Sequence, residues 1–409
     1  MLDWLIIGGG VHGTHLAAVL VGRVGIDPGG LAIIDPHRRS LAAWDRRAQA
    51  VGMEYLRSPG VHNLGLGPMD LITWADARPG WASSEPFMAR YLRPSVPVFR
   101  AHADAVCSQH GLGLRRIVGT AERIRPWRRR WRIETTTGRL DARNVILALG
   151  ATGHTSRPDW AARLPPERVS HVFDEEFLRE DAPTGAHLVV VGGGISAAQV
   201  ALSLAGSDRG PVTLLMRHRV RRHMFDSDPT WLGPVRMAEF LSDPDPASRR
   251  RTIAASRHRG SIPPELADRL ATQARRGRVL VRRAEVEDAR VRGGAVALDL
   301  GSGDPLVCDR VVLATGVDPA RPGGELVDRL VRELGLPVAP CGYPVVDPAL
   351  RWCRGLHVTG PLAELELGPV ARNIAGARRA ADRLVLALSG SERLSSDGRM
   401  AGAPALSAR

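Results

Sequence analysis

Leu5-Ile6-Ile7-Gly8-Gly9-Gly10-Val11-His12-Gly13 carries an apolar, strand-like run into G-x-G-x-x-G and then into a helical pattern. Val189-Val190-Val191-Gly192-Gly193-Gly194-Ile195-Ser196-Ala197 repeats the arrangement as G-x-G-x-x-A. In each copy the first glycine (Gly8, Gly192) permits a tight strand-to-helix turn. The second (Gly10, Gly194) lets the backbone come close to a pyrophosphate, and the third position (Gly13, Ala197) must be small for helix and strand to pack. Phosphates there meet free backbone N–H groups and the positive end of a helix dipole. His12 and Ser196 lie inside these turns, and His12 is expected to act through its backbone N–H. Both copies follow a strand and open a helix, the context the motif requires. Two such turns in one chain imply two dinucleotides held together, and so redox chemistry.

Working outward from the first turn, Leu31–Ile34 reads as the second strand and ends at Asp35, an acid placed to accept from a ribose hydroxyl pair. The second turn differs. Its next strand, 212–216, ends in Arg217-His218-Arg219. Arg217 and Arg219 would pair with a 2′-phosphate, which favours NADPH over NADH. Short strands at 114–124, 131–135 and 140–149 form a meander, and a second meander at 279–300 leads to Thr315-Gly316. Gly360 closes a late strand, and Gly368-Pro369 is expected to open a helix running to about 388, because proline suits a first helical position. The predicted fold is α/β, with two Rossmann-like, doubly wound, three-layer domains, each bearing a β-meander. The first domain takes residues 1–160 and 317–388, and the second, 161–316, is inserted within it. Residues 389–409 read as a Ser/Gly/Ala-rich disordered tail.

Composition narrows the function classes. The chain has 409 residues, 44% of them hydrophobic, and no apolar run reaches the roughly 20 residues of a bilayer span. The start Met1-Leu2-Asp3 lacks a basic n-region, so a cytoplasmic enzyme is expected. The net charge is +13 and every basic residue is arginine, which excludes lysine chemistry. Arg128–Arg130 between Trp127 and Trp131 reads as a solvated hairpin tip, and no nucleic-acid or membrane partner is expected. Cys107, Cys308, Cys341 and Cys353 form no C-x-x-C and no metal-ligand spacing with histidine. A redox-active disulfide and a metal site are therefore not expected.

The pattern resembles the two-dinucleotide flavoproteins, and within them the class B flavin monooxygenases of the lysine/ornithine N-hydroxylase group, over about residues 1–388. The likeness rests on Asp309-x-x-x-Leu313-Ala314-Thr315-Gly316-Val317 with Pro322 following, and on Met53-Glu54-Tyr55-Leu56-Arg57. Val317 stands where that group has Tyr, and Arg57 where it has a Lys linked to the substrate carboxylate. The Baeyer–Villiger fingerprint matches only at His171. The resemblance implies FAD on the first turn with Asp35 at its ribose, NADPH on the second, and the helix at Gly368-Pro369 aimed at the flavin. It implies O2 activation and N-hydroxylation of a primary, amino-acid-like amine. Arg57, His62 and Asn63 are the residues expected around flavin and substrate. Other readings stay open: an NAD(P)H-dependent flavin oxidoreductase or oxidase without oxygen insertion, and a non-catalytic regulatory protein. A homo-oligomer is compatible with the sequence.

Overall fold

A computed structural model describes residues 1–81, 85–150, 155–179, 185–205, 210, 212–301, 303–318 and 320–397. Strand β1 (Leu2–Ile7) turns through Gly8–Gly10 into helix α1 (Val11–Gly22) and pairs in parallel with β2 (Leu31–Asp35). A central parallel strand is covered on both faces, so it is apolar at nearly every position, and Trp4 to Ile7 are all buried. Beyond β2 lies β3 (Arg116–Val118), again parallel. The meander β4 (Ala121–Trp127), β5 (Arg130–Thr135) and β6 (Gly138–Leu147) folds back antiparallel until β6 lies parallel to β1. The β4–β5 turn is the arginine-rich tip, and the Arg132 guanidinium lies 4.1 Å from the centre of the Trp127 ring.

A second sheet is wholly parallel. It contains β7 (Val169–His171), β8 (Leu188–Val191), β9 (Val212–Met216), β10 (Val279–Arg283) and, past an antiparallel trio β11 (Asp288–Arg292), β12 (Ala295–Asp299) and β13 (Leu306–Cys308), strand β14 (Arg310–Leu313). The spatial order is β10-β9-β8-β14-β7, with helix α2 (Ile195–Ala205) following β8. Strands β15 (Arg351–Cys353) and β16 (Leu356–Val358) then rejoin the first sheet beside β6. Thr155 bridges Val317, Ser156 N–H donates to Gly316 O (3.0 Å), and the Thr315 hydroxyl donates to Ser156 O. The two chain crossings between the sheets are thus pinned to each other.

Between β9 and β10 the chain adds helices α3 (Pro234–Ser242), α4 (Pro246–Ala255) and α5 (Pro264–Arg275), each opened by proline. Trp231, Met237, Phe240 and Ile253 of this insertion bury against Ala339, Tyr343, Leu365 and Val370 of the C-terminal segment. Charge reinforces the seam. The fully buried Glu364 carboxylate meets the Arg250 guanidinium, Arg372 Nε at 2.8 Å and Arg257 Nη2 at 3.8 Å. Burial first, then the neighbouring Arg372, pushes the Arg257 guanidinium down to about 10.

Two expectations need correction. Gly368 and Pro369 do not open the last long helix. Pro369–Arg372 is a 3-10 turn, and α6 begins at Ile374, where the Asn373 side chain accepts from Gly376 N–H at 3.1 Å. Gly368 has φ 75°, which favours glycine, and Met237 packs against it. Helix α6 also runs to Asp397, past the expected start of the tail, while residues 398–409 lie outside the described residues.

Candidate active site between two glycine turns

At the first turn the backbone requires glycine. Gly8 has φ 109°, and a Cβ there would lie 2.5 Å from Ala148 O, while one on Gly13 would overlap Gly8 O. Gly10 has open space where a Cβ would point, so this face of the turn can be approached closely. Asp35 braces the loop: its carboxylate accepts from Gly9 N–H (2.7 Å) and His37 N–H (2.9 Å), with Arg116 Nη2 at 3.8 Å. The His12 ring stands beside Gly360 (φ 64°) with Nδ1 2.9 Å from Thr359 Oγ1, and its buried Nε2 has no partner among the described residues. Burial, and then His15, pushes the His12 imidazole down to about 4, the Asn373 backbone opposing. An open glycine face at the start of a helix fits the phosphate portion of a dinucleotide.

The second turn lines a cleft of about 980 Å³. Gly192 has φ 156°, and a Cβ there would overlap Ala314 O and lie 3.1 Å from the Ala197 side chain, so position 192 requires glycine. Gly194 is open, with Gly260 Cα 3.7 Å from its Cβ position. Ser196, Thr315 and Gly316 line the cleft. So does Arg217, paired to Glu285 at 3.3 Å with both side chains exposed. Arg219 does not line it; Arg157, Arg221 and Arg259, to which no sequence motif points, do. The cleft fits an anionic nucleotide on its glycine face and its arginines.

Beside the second turn, at Ile195, lies a cavity of about 770 Å³ with largely apolar walls, including Ile72, Tyr91, Leu92, Phe225 and Leu232. His62 lines it. Burial, then Arg378, lowers the His62 pKa, and Asp226 acts in the opposite sense. Arg57 lines it too: Nε donates to Met224 O (2.9 Å), Nη2 faces His223 O (2.8 Å), Phe225 O (2.7 Å) and Ser261 Oγ (2.8 Å), and Nη1 has no hydrogen bond among the described residues. Asn63 is not at the cavity wall. It is fully buried, donates to Gly60 O and Pro68 O, and accepts from Gly65 N–H at 2.8 Å, so it knots its own loop. Residues missed in the sequence are Asp226 and, on α2, Ile195 and Gln199 one turn apart. Ile195 and Gln199 also line an adjoining cavity of about 420 Å³. Only the Asn373 loop hints at what the sequence could have offered: an Asx residue before an apolar helix start.

The four cysteines are free and none lines these three spaces. Among the described residues no cluster suits a metal, and no helix is long and apolar enough to cross a membrane.

Comparisons with known proteins agree with this geometry. The family model "Pyridine nucleotide-disulphide oxidoreductase" matches residues 81–375, and an "FAD-NAD(P)-binding" model matches residues 5–152. A search of curated proteins by sequence found no match. Among solved structures the chain is similar to the ornithine hydroxylase of Pseudomonas aeruginosa (TM-score 0.76, 18% identity, 95% of this chain and 99% of that one). It is also similar to the cadaverine monooxygenase of Erwinia amylovora, solved with FAD (0.73, 16%, 95% and 95%), and to the ornithine N-hydroxylase of Kutzneria sp. 744 (0.72, 16%, 96% and 100%). These likenesses show a shared two-domain flavoprotein fold. With two strand–glycine turn–helix units in the fold and the larger family model covering most of the sequence, the chain belongs to the pyridine nucleotide-disulphide oxidoreductase family.

Proposed function

We propose that the protein is an FAD- and NADPH-dependent monooxygenase that hydroxylates the nitrogen of a primary amine. The observation that carries this reading is the largely apolar cavity that reaches the second turn at Ile195 and the C-terminal segment at Asn373, with the His62 imidazole on its wall. FAD, when bound, supplies hydride acceptance and O2 activation, for a net RNH2 + O2 + NADPH + H⁺ giving RNHOH + NADP⁺ + H2O.

The chain's own residues supply position. Gly8 and Gly10 would hold the FAD pyrophosphate, with Gly13 allowing the close helix–strand packing behind it. The Asp35 carboxylate, held by Gly9 and His37, is placed at the ribose. Gly192, Gly194 and the N-terminus of α2 hold the NADPH phosphates. Arg217, with Arg221 and Arg259 in place of Arg219, gives the cleft its preference for a 2′-phosphate. Arg57 ties the loop at 223–225 to the FAD-side segment and so shapes the cavity. An amine must lose its proton to act as a nucleophile, and the half-buried His62 imidazole, whose pKa is lowered, is neutral near pH 7 and places no positive charge beside it.

The reading requires purified, FAD-loaded protein to oxidise NADPH in step with hydroxylamine formation from an amine. NADPH oxidation that yields only hydrogen peroxide with every amine tried would instead make the protein an oxidase.

A further inference from the structure

Resting on the N-hydroxylase reading for its chemistry, a loop at the 770 Å³ cavity marks where the body of the amine lies. Phe87-Met88 and Arg93-Pro94 pair antiparallel, and residues 89–92 connect them. Tyr91 has φ 65° and Leu92 has φ 44°, the only two consecutive residues other than glycine with positive φ among the described residues. Left-handed backbone costs a residue with a side chain about 1–2 kcal/mol, and glycine is the residue that avoids the cost. The surroundings hold the loop in this conformation. A Cβ on Gly60 would lie 2.7 Å from Leu92 O, so the loop is seated closely on that glycine. The next residue, Arg93, is buried and paired with Glu265, and Pro94 O accepts from Leu56 N–H at 2.9 Å.

Burial does not offset the strain, because Tyr91 is 48% and Leu92 43% exposed. Both side chains line the cavity, and the Tyr91 ring meets the Phe225 ring edge-on with centroids 5.1 Å apart. Leu232, another exposed apolar residue, lines the same cavity, whose wall also carries His62. Strained residues persist where the surroundings over-determine them, and they cluster at ligand-binding surfaces. Apolar side chains left open to water at a cavity gain when an apolar ligand covers them. We infer that Tyr91 and Leu92 are specificity-determining residues that hold an apolar body of the substrate amine against Phe225 and Leu232.

The test compares n-propylamine with n-heptylamine on the FAD-loaded protein, by calorimetric titration and by hydroxylamine assay. Four more methylenes against these side chains are expected to tighten binding at least about tenfold. Tyr91→Gly removes the ring and the backbone strain together. It should weaken n-heptylamine binding about fivefold or more, leave n-propylamine binding unchanged, and keep the FAD content and the thermal midpoint. Tyr91→Phe should bind n-heptylamine as the native protein does. Equal affinity for the two amines, or n-heptylamine bound by Tyr91→Gly as tightly as by the native protein, overturns the inference. n-Heptylamine binding that depends on Tyr91 without any hydroxylamine supports the apolar site while removing the monooxygenase reading. Hydroxylamine formed from both amines with no effect of chain length keeps that reading and removes this inference.

Discussion

At the scale of single residues, what could be read from sequence was the backbone requirement, and what could not was where a long side chain goes. Gly8, Gly13 and Ala197 were legible because a tight turn leaves no room for anything larger, a local property. Arg57 and Asn63 were both assigned to substrate and flavin, yet Arg57 bonds carbonyls more than 160 positions away and Asn63 is consumed within its own loop. No local pattern encodes the reach of Arg57, and the letters around Asn63 are the same whether its amide points into the loop or out of it. The abundance of arginine also hid a role: several of these guanidinia tie backbone carbonyls from distant segments. Arg217 is a simpler case, since it stands at the strand end beside the second turn. Arg217→Ala should raise the KM for NADPH roughly tenfold, about 1.4 kcal/mol, and leave the KM for NADH and the FAD content unchanged. Steady-state kinetics with both nucleotides checks this, and an equal rise for NADH would place the 2′-phosphate elsewhere.

Among the elements, the strands of both sheets follow from their apolar runs, and the parallel arrangement follows from the strand–turn–helix order. The last helix was misplaced because Pro369 satisfies the first-turn rule while packing by Met237 and Phe240 holds Gly368 and Pro369 in a different conformation. The docking of the insertion after β9 on the C-terminal segment depends on the buried charges around Glu364. Neutralising that carboxylate leaves Arg250, Arg257 and Arg372 facing one another out of water. Glu364→Gln is therefore expected to destabilise the protein by about 3–5 kcal/mol, the range for breaking a buried ion pair. Urea unfolding measures it, and a loss under about 1 kcal/mol would mean that the seam is held by its apolar contacts alone.

For the whole molecule, buried histidines set the response to acid. Burial is the leading cause that brings His12, His15, His102 and His171 from 6.5 to about 4 in the folded chain. Between those values the unfolded chain binds protons that the folded chain refuses, so stability present above pH 6.5 is lost as the pH falls towards 4. The thermal midpoint should drop by several degrees between pH 7 and pH 5, and an unchanged midpoint would mean that these rings are protonated in the folded state. The proposed coupling of NADPH to amine oxidation needs both glycine turns and the apolar cavity in one folded chain. The most direct test of that coupling is mass analysis of the product made by the FAD-loaded protein from NADPH, a primary amine and ¹⁸O2. A hydroxylamine carrying one labelled oxygen is the expected result, whereas NADPH consumption with all of the label in hydrogen peroxide and the amine unchanged would contradict it.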